Sequence, residues 1–144
     1  MRTVHIILNA HLDPVWLWPW TAGVDECLNT CHTVCNTLDR HKDIIFTRGE
    51  AWVYEQVRRH DPALSRRIVR HIHAGRWSVV GGWWIQPDCN LPGYENMNQQ
   101  IALGRAWFEQ HLLFFPRIGY NVDSFGHTAA LPDIMAAHGQ HSYV

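Results

Sequence analysis

The sequence predicts an α/β fold in which parallel strands alternate with helices along the chain. Short apolar segments alternate along the chain with segments of helical periodicity. Acidic or histidine side chains follow the ends of several apolar segments, and in parallel sheets chemistry gathers at these carboxyl ends. The chain of 144 residues suits a single domain, residues 1–144. Right-handed crossovers would join such units into a barrel or an open, doubly wound sheet.

The first half of the chain contains two strands and three helices. Apolar residues from Val4 to Leu8 are typical of a buried strand, and Asp25 stands in the first turn of the helix that follows. Pro62 and Gly75 bound the last helix, because proline suits a helix start and glycine a helix end. The expected elements are a buried strand over 4–9, a helix over 25–38, a strand over 44–47, and helices over 50–59 and 63–73.

The second half repeats the alternation. A strand begins at Trp77, and the turn at Pro92-Gly93 precedes a long helix. A short apolar segment then ends at Asp123, and Pro132 opens the last helix. The expected elements are a strand over 77–80, a helix over 95–113, a strand over 118–122 and a helix over 131–138. These make about four strand–helix units, whereas a barrel needs about seven or eight. We therefore expect part of a larger enzyme, or a chain that pairs with the rest of a barrel or with a second copy.

Composition excludes several classes of protein. No apolar run reaches the roughly 18 residues that a membrane helix needs, so we expect no membrane partner. A net charge of −1 lacks the basic excess of nucleic-acid binders. The chain opens directly into strand-like sequence without a hydrophobic leader, which favours the cytoplasm.

The cysteines favour burial in the core. Cys27, Cys31 and Cys35 are spaced four apart and form a stripe along one helix. An iron–sulfur site is the alternative, but such clusters are generally held by loops. Cys89 lies in a distant polar loop, and without a secretory signal we expect no disulfide framework.

Two acidic positions at strand ends indicate a metal site. His11 and Asp13 follow the first apolar segment, and their spacing of two puts both side chains on one face of an extended chain. Asp123 follows another strand in the same way. A surface pair or a hydrogen-bonded cap is the alternative for His11 and Asp13. Tryptophans beside the pair, beginning with Trp16, suit a sugar, because indole faces stack on the apolar side of pyranose rings.

Three parts of the sequence together resemble the amino-terminal catalytic region of glycoside hydrolase family 38, the retaining α-mannosidases. They are His11-Leu12-Asp13-Pro14-Val15-Trp16-Leu17-Trp18, then Gly75-Arg76-Trp77 with Gly81-Gly82-Trp83-Trp84 and Pro87-Asp88-Cys89-Asn90-Leu91-Pro92, and finally Asp123-Ser124-Phe125-Gly126-His127 with Leu131-Pro132. The sequence departs from the family at Gln86, where glutamate is usual, and in the turn at 92–95.

The resemblance implies a fold and a chemistry. The fold would be the amino-terminal, incomplete part of a seven-stranded α/β barrel. Zinc would be held by His11, Asp13 and Asp123, with Asp123 also the catalytic nucleophile. Trp16 would stack on the mannose at the cleavage point. The expected activity is the zinc-dependent hydrolysis of terminal α-mannosides with retention of configuration.

The family's general acid and a further histidine ligand come from later in the chain than Val144. We therefore expect this polypeptide to be a truncated chain that is weak or inactive alone. Glu50 and Asp88 are the local acids that could substitute, although a cap or a structural hydrogen bond is favoured for each. Two alternatives stay open. One is a non-catalytic fragment that binds metal and sugar, and the other is a metal-dependent deacetylase, for which the histidine spacing is wrong.

Overall fold

The structure is a computed structural model and describes residues 2–144. Its strands are β1 (Leu8–Asn9), β2 (Phe46–Arg48), β3 (Trp77–Val79), β4 (Ile118–Gly119) and β5 (Ser142–Tyr143). Its helices are α1 (Trp20–Arg40), α2 (Ala51–His60), α3 (Pro62–His73), α4 (Tyr94–Leu112) and α5 (Leu131–Ala137). Parallel strands alternate with helices, as the sequence predicts. No helix within 2–144 has both the length and the apolar character needed to cross a bilayer.

The chain forms two compact units. The first comprises the residues up to Arg48 together with Gln56–Ser78, and the second comprises Gly49–Glu55 together with Val79–Val144. The division falls inside α2 and β3.

In the first unit, α1 packs on α3. Strands β1, β2 and β3 form a three-stranded sheet in that order. Leu8 lies opposite Phe46 and Asn9 opposite Thr47 in the parallel pairing of β1 with β2. The Arg76 guanidinium donates hydrogen bonds to the carbonyl oxygens of Leu38, His41 and Ile44, at 3.3 Å from Leu38 and 2.7 Å from Ile44. These bonds fix the connection between α1 and β2.

Helix α1 begins at Trp20, five residues before the predicted start at Asp25. The helical hydrogen bonds already begin at the carbonyl of Pro19, which accepts from the N–H of Ala22 at 3.0 Å. Cys27, Cys31 and Cys35 line the buried face of α1, each at most 1% exposed. Burial raises the pKa of the Cys35 thiol to about 12, so it stays protonated and packs as a small core residue.

The prediction of a buried strand over 4–9 is wrong in length and in burial. The strand has only the two residues Leu8 and Asn9, and the side chains of Val4 and Ile6 are 83% and 80% exposed. Because β1 is the edge strand of its sheet and pairs only with β2 among the described residues, little covers this apolar segment.

The second unit pairs β4 with β5 in parallel and packs α4 on α5. Strand β5 was not expected from the sequence. The core of the second unit includes Trp83, whose indole N–H donates to Gln140 Oε1 at 2.8 Å. The apolar residues packed with Trp83 are Cys89, Met97, Ile101, Leu131, Ile134 and Met135. Strand β4 ends at Gly119 rather than at Val122. The N–H of Asn121 still donates to the carbonyl oxygen of Val144 at 3.0 Å, whereas that of Val122 donates to a side chain, Gln86 Oε1.

Gly104→Ala is expected to destabilise the chain by about 3 kcal/mol or more, the upper end of the range for overpacking. Gly104 lies on α4, where an added Cβ would be 2.0 Å from the carbonyl oxygen of Gly82 and 2.5 Å from the carbonyl carbon of Trp83. Both atoms belong to the backbone, so the clash requires the helix to move. Urea unfolding of the two proteins measures the difference.

Gly93→Ala is the matched control. An added Cβ at Gly93 has no neighbour within 4 Å, and the φ of −65° suits alanine. We expect it to cost less than about 1 kcal/mol, as the loss of a glycine helix cap. Equal losses in the two variants would contradict the packing of α4 against Gly82 and Trp83.

Candidate active site

The first part of the candidate site is the loop that follows β1. Nε2 of His11 lies 3.4 Å from Oδ1 of Asp13, and the two side chains are 26% and 41% exposed. The structure therefore brings together the pair that the sequence singled out and leaves it accessible. An imidazole nitrogen and a carboxylate oxygen are both ligands that zinc accepts.

Neighbouring elements hold this loop in place. The carbonyl oxygen of Ala10 accepts a hydrogen bond from the Arg48 guanidinium, and that of Asp13 accepts one from the Trp18 indole at 3.3 Å. Further along, Gly23 of α1 lies against Pro14, where an added Cβ would be 2.1 Å from the proline oxygen. Only glycine permits this approach, so the residue after Asp13 rests directly on the helix backbone.

Three tryptophans of the same segment present aromatic surface to solvent. Trp16, Trp18 and Trp20 are 64%, 37% and 59% exposed. Exposed indoles in such number are unusual for a small chain, because tryptophan is highly buried on average. Their exposure fits the expectation that aromatic faces are available to a sugar ring beside the His11 and Asp13 pair.

Asp123 belongs to the second unit, in the loop that follows β4, and its side chain is exposed. The residues before it are well anchored. The side-chain amide nitrogen Nδ2 of Asn121, a residue only 4% exposed, donates to the carbonyl oxygen of Pro87 at 2.7 Å and to Sγ of Cys89 at 3.2 Å. Burial raises the pKa of the Cys89 thiol, so the sulfur stays neutral beside this amide.

The residues after Asp123 are tied to β5. Nε2 of His127 lies 3.1 Å from the hydroxyl oxygen of Ser124 and 2.8 Å from that of Tyr143. Burial raises the pKa of Tyr143 to about 12, so its hydroxyl stays protonated and able to donate. Sequence reasoning quoted His127 as part of a motif without giving it a role. Its position four residues after Asp123 was the available signal.

The two local acids that could replace a missing general acid serve structural roles. Glu50 is 5% exposed, and its carboxylate accepts hydrogen bonds from the side-chain amide of Gln86 and, at 3.4 Å, from the N–H of Gly49. Asp88 caps a loop by accepting from the N–H groups of Asn90 and Leu91 at 2.7 and 2.9 Å. Those two bonds lower the pKa of Asp88.

The histidine pairs whose spacing is wrong for a deacetylase are His71 with His73 and His138 with His141, and one member of each pair is engaged elsewhere. His71 pairs with Asp39 at 3.1 Å, and Nε2 of His138 lies 3.0 Å from the side-chain oxygen of Asn98. Burial lowers the pKa of both imidazoles. Each histidine pairs with a residue of another helix, Asp39 of α1 or Asn98 of α4, which disfavours the deacetylase alternative.

A family profile and the curated relatives of this chain point to the same family of proteins. The profile of the "Glycosyl hydrolases family 38 N-terminal domain" matches residues 1–144. The chain is 34% identical over 134 residues to human "Alpha-mannosidase 2C1", which covers 93% of this chain and 13% of the relative. It is 25% identical over 143 residues to the "Alpha-mannosidase" of Saccharomyces cerevisiae, covering 96% of this chain and 13% of that protein. The chain thus spans about an eighth of the length of these relatives.

Solved structures share the fold. An alpha-mannosidase from Enterococcus faecalis V583 superposes with a TM-score of 0.83 at 17% identity, over 95% of this chain and 16% of that one. A 4-alpha-glucanotransferase from Thermococcus litoralis gives a TM-score of 0.73 at 13% identity, over 95% of this chain and 21% of that one. At such low identity, these similarities concern the fold alone.

Proposed function

The chain belongs to glycosyl hydrolases family 38, and from that premise we propose that it supplies the nucleophilic and metal-binding part of a retaining α-mannosidase active site. Membership confirms the resemblance that the sequence motifs indicated. The observation that carries the proposal is the accessible pair of His11 and Asp13, 3.4 Å apart in a loop that also exposes Trp16.

We propose that the metal is zinc and that its ligands are His11, Asp13 and Asp123. All three are side chains of the types that bind metal ions. One imidazole and two carboxylates match the nitrogen and oxygen ligands of catalytic zinc. When bound, the ion supplies Lewis-acid polarisation and positions left open for the hydroxyls of the sugar.

The chemistry proposed for the protein residues begins at Asp123. Its carboxylate attacks the anomeric carbon of a terminal α-mannoside, a carbon–oxygen bond forms, and the bond to the leaving group breaks with its electron pair. Water then hydrolyses the covalent glycosyl-enzyme, which returns the sugar with retained configuration. Trp16 stacks on the apolar face of the ring and holds it during both steps.

A second carboxyl group must protonate the leaving oxygen in such a reaction, at roughly 5 to 5.5 Å from the nucleophile. Glu50 and Asp88 are engaged in structural hydrogen bonds, so neither suits this role. We propose that the acid, and a further metal ligand, come from a part of the barrel that these 144 residues do not contain. The chain alone would then hydrolyse mannosides weakly or not at all. The rest of the barrel or a second copy would complete the site.

The single-domain organisation and the cytoplasmic location expected from the sequence stay predictions. The same holds for the alternative of a fragment that binds metal and sugar without chemistry, and the experiment below separates it from the proposed nucleophile.

A fluorinated α-mannosyl fluoride tests the proposal on the 144-residue chain itself. Attack by Asp123 forms the carbon–oxygen bond while the carbon–fluorine bond breaks, and fluoride leaves without needing a proton. In the presence of zinc, we expect mass spectrometry to find one mannosyl adduct, on the peptide that contains Asp123.

Asp123→Asn is the matched control, and it should give no adduct. An adduct on another residue, or none on a chain that binds zinc and mannoside, would overturn the proposed nucleophile. The missing acid is tested separately with nitrophenyl α-mannoside. Turnover by the chain alone within the usual range of about 1 to 10³ per second would overturn that part of the proposal.

A further inference from the structure

We propose that Gln86 is a positioning residue, whose side-chain amide links the buried carboxylate of Glu50 to the backbone N–H of Val122 and so fixes the peptide that precedes Asp123. The inference rests on the proposed function in one respect, that Asp123 is the nucleophile. The contacts themselves are independent of it.

The link consists of two hydrogen bonds made by one side chain. Oε1 of Gln86 accepts from the N–H of Val122 at 3.0 Å, and Nε2 of Gln86 donates to Oε1 of Glu50. Glu50 is a rigid anchor, because it is 5% exposed and its second carboxylate oxygen accepts from the N–H of Gly49 at 3.4 Å. We call this arrangement of Glu50, Gln86 and Val122 the amide bridge.

The amide bridge requires one donor and one acceptor on the middle residue. Val122 offers an N–H and Glu50 offers a carboxylate, so residue 86 must accept on one side and donate on the other. Glutamine does both. A glutamate at position 86 would place two carboxylates face to face, and like charges in a partly buried place repel.

The amide bridge acts where the backbone is otherwise open. Val122 is 43% exposed and directly precedes Asp123. The preceding residue, Asn121, is held by Pro87 and Cys89. The segment 86–89 therefore accepts hydrogen bonds from two successive residues before the proposed nucleophile, Asn121 and Val122. Because a misplacement of about 1 Å can cost about 10²-fold in rate, these hydrogen bonds position Asp123 for its attack.

Exchange of the pair tests the amide bridge. Gln86→Glu should break it by charge repulsion, whereas the double variant Glu50→Gln with Gln86→Glu restores one amide and one carboxylate in opposite positions. We expect the Val122 amide hydrogen to exchange with solvent about tenfold faster in Gln86→Glu, as loss of one hydrogen bond implies. The double variant should return to within about threefold of the wild-type rate. NMR measures exchange at this single amide.

Two further variants control the result. Gln86→Met keeps the volume and adds no charge, so it should speed Val122 exchange about tenfold even if Gln86→Glu does not fold. Gln99→Glu makes the same chemical change at an exposed position on α4 and should leave Val122 unaffected. Unchanged exchange in both Gln86 variants, or a double variant no slower than Gln86→Glu, would overturn the amide bridge.

The rate of labelling by the mannosyl fluoride separates this inference from the proposed function. If Asp123 is the nucleophile, labelling should fall about 10- to 100-fold in Gln86→Met and recover in the exchanged pair. A wild-type chain that is never labelled, with Val122 exchange following the expected pattern, would refute the proposed function and leave the amide bridge standing. Labelling that is equal in wild type and Gln86→Met would refute the positioning role.

Discussion

His11→Ala is expected to lower the affinity of the chain for Zn²⁺ by at least about 100-fold. Loss of an outer-shell partner alone typically costs about 10- to 100-fold, so loss of a direct ligand should reach or exceed that range. His11 lies 3.4 Å from Asp13 in the structure, and removing the imidazole leaves a single carboxylate in this loop. Calorimetric titration of the 144-residue chain with Zn²⁺ gives the two dissociation constants.

His73→Ala is the control for that titration. His73 is exposed at the end of α3, and its removal deletes an imidazole of the same chemistry without touching the loop after β1. Its affinity for Zn²⁺ should stay within about threefold of wild type. A His11→Ala chain that binds Zn²⁺ as tightly as the His73→Ala chain would contradict the assignment of His11 as a ligand.

Trp83→Ala should cost about 3 to 5 kcal/mol of folding free energy, the range for deleting a buried tryptophan. Trp83 is 1% exposed and packs among the apolar residues of the second unit. A typical domain is stable by only about 5 to 15 kcal/mol, so the variant approaches the limit of folding. Urea unfolding followed by circular dichroism measures the loss.

Two further variants separate the hydrogen bond of Trp83 from its packing and compare a buried with an exposed tryptophan. Trp83→Phe keeps an aromatic ring but leaves Gln140 Oε1 without the indole N–H, so we expect a loss of about 1 to 3 kcal/mol. Trp16→Ala removes an indole that is 64% exposed and should cost less than about 1 kcal/mol. A Trp16→Ala loss as large as that of Trp83→Ala would contradict the division of the tryptophans into core and surface.

Much of the fold could be predicted, because the alternation of apolar strands and periodic helices is a local property of the sequence. Burial was harder to predict. The apolar run from Val4 to Leu8 reads as a buried strand, yet burial depends on which strands lie beside it, and β1 is an edge. Strand β5 was missed because two residues, Ser142 and Tyr143, are too short a stretch to show a period.

The site was predictable where its chemistry lies close together in the chain. His11 and Asp13 are two residues apart, so their proximity follows from the spacing alone. The environment of Asp123 was not predictable in this way. Its supports come from Gln86, 36 residues before the Val122 that it holds, and from Tyr143, 16 residues after His127. Such separations are settled by tertiary packing, which a single sequence does not display.

The amide bridge also bears on how this sequence can diverge. Glu50 accepts the hydrogen bond that Gln86 donates, so we expect a change at either position alone to weaken the contact. We therefore expect a compensated pair of substitutions that exchanges the acid and the amide to be tolerated better than either single substitution. Positions 50 and 86 thus act as one unit, although they stand 36 positions apart in the chain.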